Sequence, residues 1–340
     1  MLPTKVLFTW NVRAELQEYI KEKLAKFPHI KLTFPTENQV KIKDFLDIDQ
    51  VDVLVGWRHN EETLKAAFKV KLIINPGAGV EHFAAHKTLL QERNISLTNC
   101  HGNAYFSAQH AVALLLTATN RIVTHHQFLQ SGQWRTGDKE ARSLPLCYRK
   151  IGLLGYGAIN QHVHKMLQGF NTDFSILKRT WNEKEKLHLS DNTTTFDSTQ
   201  LHDFLTEIDT LIIAIPNTPK TKNLIGEKEL HLLGKDSIVV NVGRGAIIQE
   251  AALYEALKNK TIHSAAIDVW YNYKPTPNEQ DKKYPYEFPF HELDNIILSP
   301  HRAASPLNDL KRWDSIIENI GRFAFGETKL FNVVELDEGY

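Results

Sequence analysis

The chain reads as an α/β protein of two domains built on parallel sheets. Three observations predict this. Its 340 residues suit about two domains at roughly 150 residues each. Short, continuously apolar runs recur along it, as in strands covered on both faces of a sheet. Helical patterns alternate with those runs, which is the signature of βαβ units. Apolar residues make up 42% and charged residues 24%, enough for a large core and too apolar for a disordered chain. Forty Lys and Arg balance forty Asp and Glu. That balance argues against a nucleic-acid partner, which calls for a basic excess.

In the first hundred residues the strands are Lys5–Thr9, Val51–Val55, Leu72–Ile74 and Ile95–Thr98, with helices over Ala14–Phe27 and Glu61–Lys69. Ala104–Val123 contains neither Gly nor Pro and reads as one long helix that could link two domains. A second series of strands follows: Ile151–Leu154, Phe174–Leu177, Leu211–Ile215, Ile238–Val242, His263–Ile267 and Ile296–Ser299. Tyr271–Glu292 is rich in Pro, Tyr and charge, without a period, and is too long for a plain connector. A last helix, Leu307–Phe325, returns the chain to the first domain and leaves a polar tail. Two cysteines, Cys100 and Cys147, provide neither a disulfide framework nor a metal cage, so no metal site is expected. The start MLPTKVLFTW lacks the apolar core of a secretory signal, and no apolar run approaches the ~20 residues that span a bilayer. A cytoplasmic protein with no membrane partner is the expectation.

The strongest local signal is IGLLGYGAIN, residues 151–160, where an apolar strand runs into a glycine turn and then a helix. Gly155 permits the tight turn. Gly157 lets the backbone approach a pyrophosphate at the helix N-terminus, where unpaired N–H groups and the dipole favour anions. The third small residue of the fingerprint is Asn160 here. The context, strand before and helix after, marks a Rossmann dinucleotide site formed by Gly155, Tyr156, Gly157, Ala158 and Ile159. An NAD site usually carries an Asp or Glu about 20 residues further on, at the end of the next strand. This chain has Lys178, Arg179 and Thr180 there. Two cations and a hydroxyl suit a 2′-phosphate, so NADP(H) is favoured, with NAD(H) possible.

Seven segments then occur in a telling order: NPGAGVEHF (75–83), NAYFSAQHAVALLL (103–116), GYGAIN (155–160), IPNTPKTKNLI (215–225), NVGRG (241–245), AIDVW (266–270) and SPHRA (299–303). In these the chain resembles the D-isomer-specific 2-hydroxyacid dehydrogenases, the group of the glyoxylate/hydroxypyruvate reductases. The resemblance implies a Rossmann cofactor domain, residues 100–304, inserted into a flavodoxin-like substrate domain, residues 1–99 plus 305–340. It also implies an active site in the cleft between them and a homodimer formed through the cofactor domain. The implied reaction is hydride transfer between a nicotinamide and a small 2-oxo or 2-hydroxy acid. Arg244 would clamp the substrate carboxylate and polarise its carbonyl. His301 would give the carbonyl oxygen its proton and take it back. Gly77, Ala78 and Gly79 resemble the loop whose N–H groups bind the carboxylate, and Asn103 a further residue on the substrate or cofactor side. Asp268 resembles the residue that meets the nicotinamide carboxamide. Pro216 and Thr221 would shape the cofactor groove.

The pattern departs from the family where its members usually place a Glu, five residues after the aspartate of DV, to pair with the histidine. That position is Tyr273. Without a carboxylate there, the pKa of His301 should fall. Glu287 or Glu292 of the long loop are alternative partners. Gln109 and Arg302 also differ from the usual residues; Arg302 faces solvent or adds charge near the substrate. Two rival readings stay open: a dinucleotide-binding regulator resembling the C-terminal-binding-protein corepressors, and a formate- or phosphonate-type dehydrogenase.

Overall fold

The computed structural model describes all residues except 1–2, 37–46, 135–140 and 183–185. They divide into two units, Met1–Asn103 with Leu307–Tyr340, and Ala104–Pro306. The first unit holds β1 (Thr4–Phe8), α1 (Ala14–Leu24), β2 (Ile30–Thr33), β3 (Val53–Val55), α2 (Glu61–Ala66), β4 (Leu72–Ile74), α3 (Lys87–Glu92) and β5 (Ser96–Thr98). The five strands pair in parallel in the order β2-β1-β3-β4-β5, the flavodoxin-like arrangement. Val53, Leu54 and Val55 are all buried because helices cover both faces of the sheet.

The second unit holds α4 (Ala104–Thr119), α5 (Ile122–Gln130), β6 (Lys150–Leu154), α6 (Ala158–Leu167), β7 (Asp173–Leu177), β8 (Thr193–Phe196), α7 (Leu201–Thr206) and β9 (Thr210–Ile213). It continues with α8 (Glu227–Leu233), β10 (Ile238–Asn241), α9 (Glu250–Lys258), β11 (Ser264–Ile267) and β12 (Ile296–Leu298). Its seven parallel strands run β12-β11-β10-β9-β6-β7-β8. Counted from β6, that is the doubly wound 3-2-1-4-5-6 order with one strand added beyond it. The order reverses between β6 and β9, and in such sheets ligands bind at that point, beyond the carboxyl ends of the strands.

The predicted fold class is therefore observed, with differences in the elements. The expected helix over 104–123 is two helices. α4 ends at Thr119, and Arg121 takes a left-handed φ of 53° before α5 begins. α4 buries Ala104, Ala108, Ala111, Leu115 and Ala118 in the second unit, a period near 3.6 that stops where the chain turns. The C-terminal helix, α10 (Asp314–Ala324), starts seven residues later than Leu307, after a 3₁₀ turn at Lys311–Trp313. The tail is not simply polar: Val334 is buried, and its N–H bonds the Leu97 carbonyl at 2.8 Å. β2 and β8 are edge strands that the apolar runs do not predict. Their residues, IKLT and TTTF, are half exposed and carry no continuous apolar pattern. No helix among the described residues is long and apolar enough to cross a membrane.

One buried group makes the first unit acid-sensitive. His59 is 5% exposed, and burial brings its imidazole from the ordinary 6.5 down to about 4, with repulsion from His82 acting the same way. The unfolded chain then binds a proton below pH 6.5 that the folded chain refuses until about pH 4. His59 thus costs nothing above pH 6.5, and stability drains away as pH falls through that window, by about 3 kcal/mol at 1.36 kcal/mol per pH unit. Urea unfolding at pH 7 and pH 4 should show this loss in the wild type and a clearly smaller one in His59→Phe. Equal losses in both proteins would contradict it.

Candidate active site

The dinucleotide turn begins at the end of β6. Gly155 has a φ of 85°, and a Cβ placed on it would lie 2.4 Å from Ile215 Cγ2, so only glycine fits. Gly157 differs. It is the extended N-cap of α6 with no side-chain cap, and a Cβ there would meet nothing within 4 Å. Packing within the chain does not require glycine at 157, and its absent side chain leaves the first N–H groups of α6 open to close approach. These two features fit a pyrophosphate. Asn160, in place of the third small residue, is fully buried and donates its amide to the carbonyls of Leu154 and Gly155, at 3.2 and 2.7 Å. It fastens helix to strand with hydrogen bonds where the usual glycine does so by close packing. Tyr156 turns its hydroxyl to His164 Nδ1 at 2.8 Å, and Ala158 and Ile159 open the helix.

Lys178, Arg179 and Thr180 follow directly on β7. The Lys178 ammonium sits 5.5 Å from the ring centre of Trp181, whose indole N–H is held by the Phe196 carbonyl at 2.9 Å. Arg179 and Thr180 are exposed. Beyond β9, the Thr221 hydroxyl donates to the Pro216 carbonyl at 2.7 Å and accepts the Thr218 N–H at 2.8 Å, closing that loop.

Arg244 lies three residues past β10. Asn241, the last residue of that strand, brackets the turn: its Oδ1 accepts the Gly243 N–H and its amide donates to the Arg244 carbonyl, both at 3.0 Å. Arg244 Nη1 donates to the Gly243 carbonyl at 2.8 Å. A Cβ at Gly245 would lie 2.4 Å from the Trp270 carbonyl oxygen, so this turn presses on the segment after β11.

That segment begins with Asp268, which is 1% exposed. Its carboxylate accepts the Ser299 hydroxyl, the Arg302 N–H at 2.7 Å and the Ala303 N–H at 3.0 Å, with His110 Nε2 at 3.5 Å. Burial alone would raise its pKa, but the hydrogen bonds from His110, Ser299, Arg302 and Ala303 outweigh burial and hold it below the ordinary range. Both oxygens of Asp268, the residue expected near the nicotinamide, take bonds from its own chain and pin the turn on either side of His301. His301 takes a left-handed φ of 56° there. Its Nδ1 lies 3.1 Å from the Tyr273 hydroxyl. Lost solvation lowers the imidazole pKa; the charge of Asp268 raises it and that of Arg244 lowers it, for a net fall. The Glu287 N–H bonds the Glu250 carboxylate, and the Glu292 N–H closes a 3₁₀ turn onto the Pro289 carbonyl at 3.0 Å. Arg302 is exposed and reaches Ser305 at 3.1 Å.

In the first unit, the loop after β4 carries Gly77, Ala78 and Gly79. Asn75 donates its amide to the carbonyls of Gly77 and Gly79, at 2.7 and 2.9 Å, and Asn99 donates to that of Ala78 at 2.8 Å. Across a trans peptide the C=O and the next N–H point in opposite directions. The N–H groups of Ala78, Gly79 and Val80 are therefore aimed away from the two amides. Asn103, half-buried, ends this unit just before α4. Asn75, Asn99, Asn241, His110 and Ser299 all shape these turns, and the sequence reading singled out none of them. Asn75, Asn241 and Ser299 open the quoted segments NPGAGVEHF, NVGRG and SPHRA, which is the signal that could have found them.

The profile of the D-isomer specific 2-hydroxyacid dehydrogenases, NAD binding domain, matches residues 112–303. Glyoxylate reductase of Pyrococcus horikoshii is 28% identical over 296 residues, covering 85% of this chain and 84% of its own. D-3-phosphoglycerate dehydrogenase of Methanocaldococcus jannaschii is 29% identical over 296 residues, covering 84% of this chain and 51% of its own. In fold, the chain is similar to a D-isomer specific 2-hydroxyacid dehydrogenase from Xanthobacter autotrophicus, solved with NADPH, at a TM-score of 0.81, 22% identity and full coverage of both chains. It is also similar to an NADPH-dependent glyoxylate/hydroxypyruvate reductase from Sinorhizobium meliloti, solved with NADP and sulfate, at 0.78 and 20%, covering 99% of this chain and all of the other. With more than half of its residues inside the matched profile, the chain belongs to the D-isomer specific 2-hydroxyacid dehydrogenase family.

Proposed function

We propose that this protein reduces a small 2-oxo acid to the D-2-hydroxy acid and uses NADPH in preference to NADH. Glyoxylate and hydroxypyruvate are the first candidate substrates. The observation that carries the reading is that Arg244 and His301 stand on the turns after β10 and β12 of one sheet, on either side of β11, near enough that the guanidinium charge acts on the imidazole. A carboxylate clamp beside a proton donor is what a 2-oxo acid requires. The relatives named glyoxylate reductase and the neighbour solved with NADP and sulfate support the substrate and cofactor proposals.

When bound, the nicotinamide supplies the hydride. Gly155, Tyr156, Gly157, Ala158 and Ile159 would hold the pyrophosphate at the start of α6, and Pro216 and Thr221 would line the groove. Lys178, Arg179 and Thr180 would take the 2′-phosphate. Arg244 would fork onto the substrate carboxylate. In the first unit, the resemblance gives the N–H groups of Gly77, Ala78 and Gly79 a carboxylate-binding role and Asn103 a role on the substrate or cofactor side. His301 would pass its proton to the carbonyl oxygen as negative charge develops there. Asp268 would hold His301 in place by fixing the turn on both sides of it. The corepressor-like reading rested on the missing glutamate. Tyr273 occupies that position with its hydroxyl 3.1 Å from His301 Nδ1, so no specific observation favours the rival.

Two measurements test this proposal. Cofactor oxidation against a panel of 2-oxo acids should show turnover with NADPH exceeding that with NADH. The double variant Lys178→Ala/Arg179→Ala should raise the KM for NADPH about 10–100-fold, since a hydrogen bond to a charged group is worth about 1.5–3 kcal/mol. The KM for NADH should stay near its wild-type value. Equal changes for both cofactors would place the 2′-phosphate elsewhere.

A further inference from the structure

We propose that Tyr273 is a positioning residue for the proton donor, its phenol hydroxyl fixing the His301 ring through Nδ1 without lending it a negative charge. The inference rests on the proposed role of His301 and deepens it. Tyr273 stands where the family usually has a carboxylate, and the structure brings its hydroxyl within 3.1 Å of Nδ1. The two rings meet edge to face, 5.2 Å apart at 88°. The contact is anchored at its base. The Trp270 N–H points to the same hydroxyl at 3.4 Å, and the Trp270 indole, buried at 4% exposure, donates to the Ser299 carbonyl at 2.8 Å. Ser299 in turn accepts the His301 N–H at 3.1 Å through that same carbonyl. Contacts among Tyr273, Trp270, Ser299 and His301 thus close a ring that runs from the imidazole Nδ1 back to the His301 backbone N–H.

A phenol and a carboxylate do different things at Nδ1. A carboxylate only accepts, so it keeps a proton on Nδ1 and favours the imidazolium. A phenol hydroxyl accepts from Nδ1–H or donates to bare Nδ1. It orients the ring in either protonation state and stabilises the cation far less. The charged groups acting on the ring are Asp268, which favours the imidazolium, and Arg244, which opposes it; His110 meets Asp268 from α4. Lost solvation and Arg244 prevail, and the pKa lies below the ordinary histidine value. Reduction consumes the imidazolium, whereas oxidation of the hydroxy acid needs the neutral ring. A phenol partner therefore confines reduction to lower pH and leaves oxidation active through neutrality.

The test follows His301 by ¹⁵N NMR of the full chain as pH is varied, in the wild type, Tyr273→Glu and Tyr273→Phe, with kinetics on the same proteins. Tyr273 is 56% exposed, so both substitutions sit at the surface and leave folding nearly unchanged. Tyr273→Glu should raise the His301 midpoint by about one pH unit or more, the effect of an opposite charge at close range. The falling limb of the reduction profile should move up with it. Tyr273→Phe should alter the Nδ1 shift and the tautomer balance while moving the midpoint less, and should lower kcat several-fold with the KM for the 2-oxo acid unchanged. An unmoved midpoint in Tyr273→Glu, or a wild-type Nδ1 shift and kcat in Tyr273→Phe, would overturn the proposal. A wild type with no turnover, whose His301 still responds to both substitutions, would instead sink the reductase reading and leave the contact standing.

Discussion

Replacing His301 by Asn should lower kcat for 2-oxo acid reduction by about 10²–10⁴-fold, the usual worth of a positioned general acid. Asn is the informative substitution because residue 301 has a left-handed φ of 56°, which Asn adopts more readily than most residues. The Asp268 bonds to the Arg302 and Ala303 N–H groups are backbone contacts, so the turn survives the change. The proton is delivered in the transition state, and the loss should therefore appear equally in kcat and kcat/KM. NADPH affinity, measured by fluorescence titration, should stay within about twofold of the wild type, well under the tenfold that 1.4 kcal/mol makes. A kcat within about fivefold of the wild type would remove His301 from the proton path, because general acids contribute more than that.

Arg244→Gln should have an effect of similar size and a different signature. A guanidinium fork on a carboxylate provides two charge-assisted bonds at about 1.5–3 kcal/mol each, so kcat/KM should fall about 10²–10⁴-fold. Its charge also lowers the His301 pKa. Without that charge the imidazolium persists to higher pH. Reduction requires the imidazolium, so its rate is full at low pH and falls as pH rises through the pKa. The falling limb in Arg244→Gln should consequently lie at higher pH than in the wild type. Arg244→Lys keeps the cation and loses the fork, and should lose an intermediate share of kcat/KM with the limb close to its wild-type position. A limb that moves to lower pH in Arg244→Gln would contradict the account. So would a loss confined to the KM for the cofactor.

The framework was legible because its signals are local. Buried parallel strands such as VLV at 53–55 and IVVN at 238–241 announce themselves by continuous apolar residues, and GYG between strand and helix marks the first crossover. β2 and β8 escaped because IKLT and TTTF carry no such run. The break at Asn120–Arg121 escaped because a left-handed residue other than glycine leaves no trace in composition. At the site, counting five residues from Asp268 located Tyr273, but not the contact it makes, since spacing gives position and not direction. The use of Asp268 was hidden for a deeper reason. Its partners, Ser299, Arg302 and Ala303, lie more than thirty residues on, and two of its bonds go to backbone N–H groups that no side-chain pattern encodes. Asn160 likewise reads as a departure from the fingerprint until its amide is seen holding the carbonyls of Leu154 and Gly155.

The central claim is hydride transfer to C2 of a 2-oxo acid with proton delivery to its oxygen. It is tested most directly with NADPH carrying deuterium at the transferable position of the nicotinamide, incubated with the full chain and glyoxylate, hydroxypyruvate or pyruvate. Product mass and, for the chiral products, configuration are then read by chromatography and mass spectrometry. The account predicts one deuterium at C2, the D configuration, and loss of product in His301→Asn. Tight cofactor binding without any deuterated product from the panel, or product formed equally by His301→Asn, would contradict it.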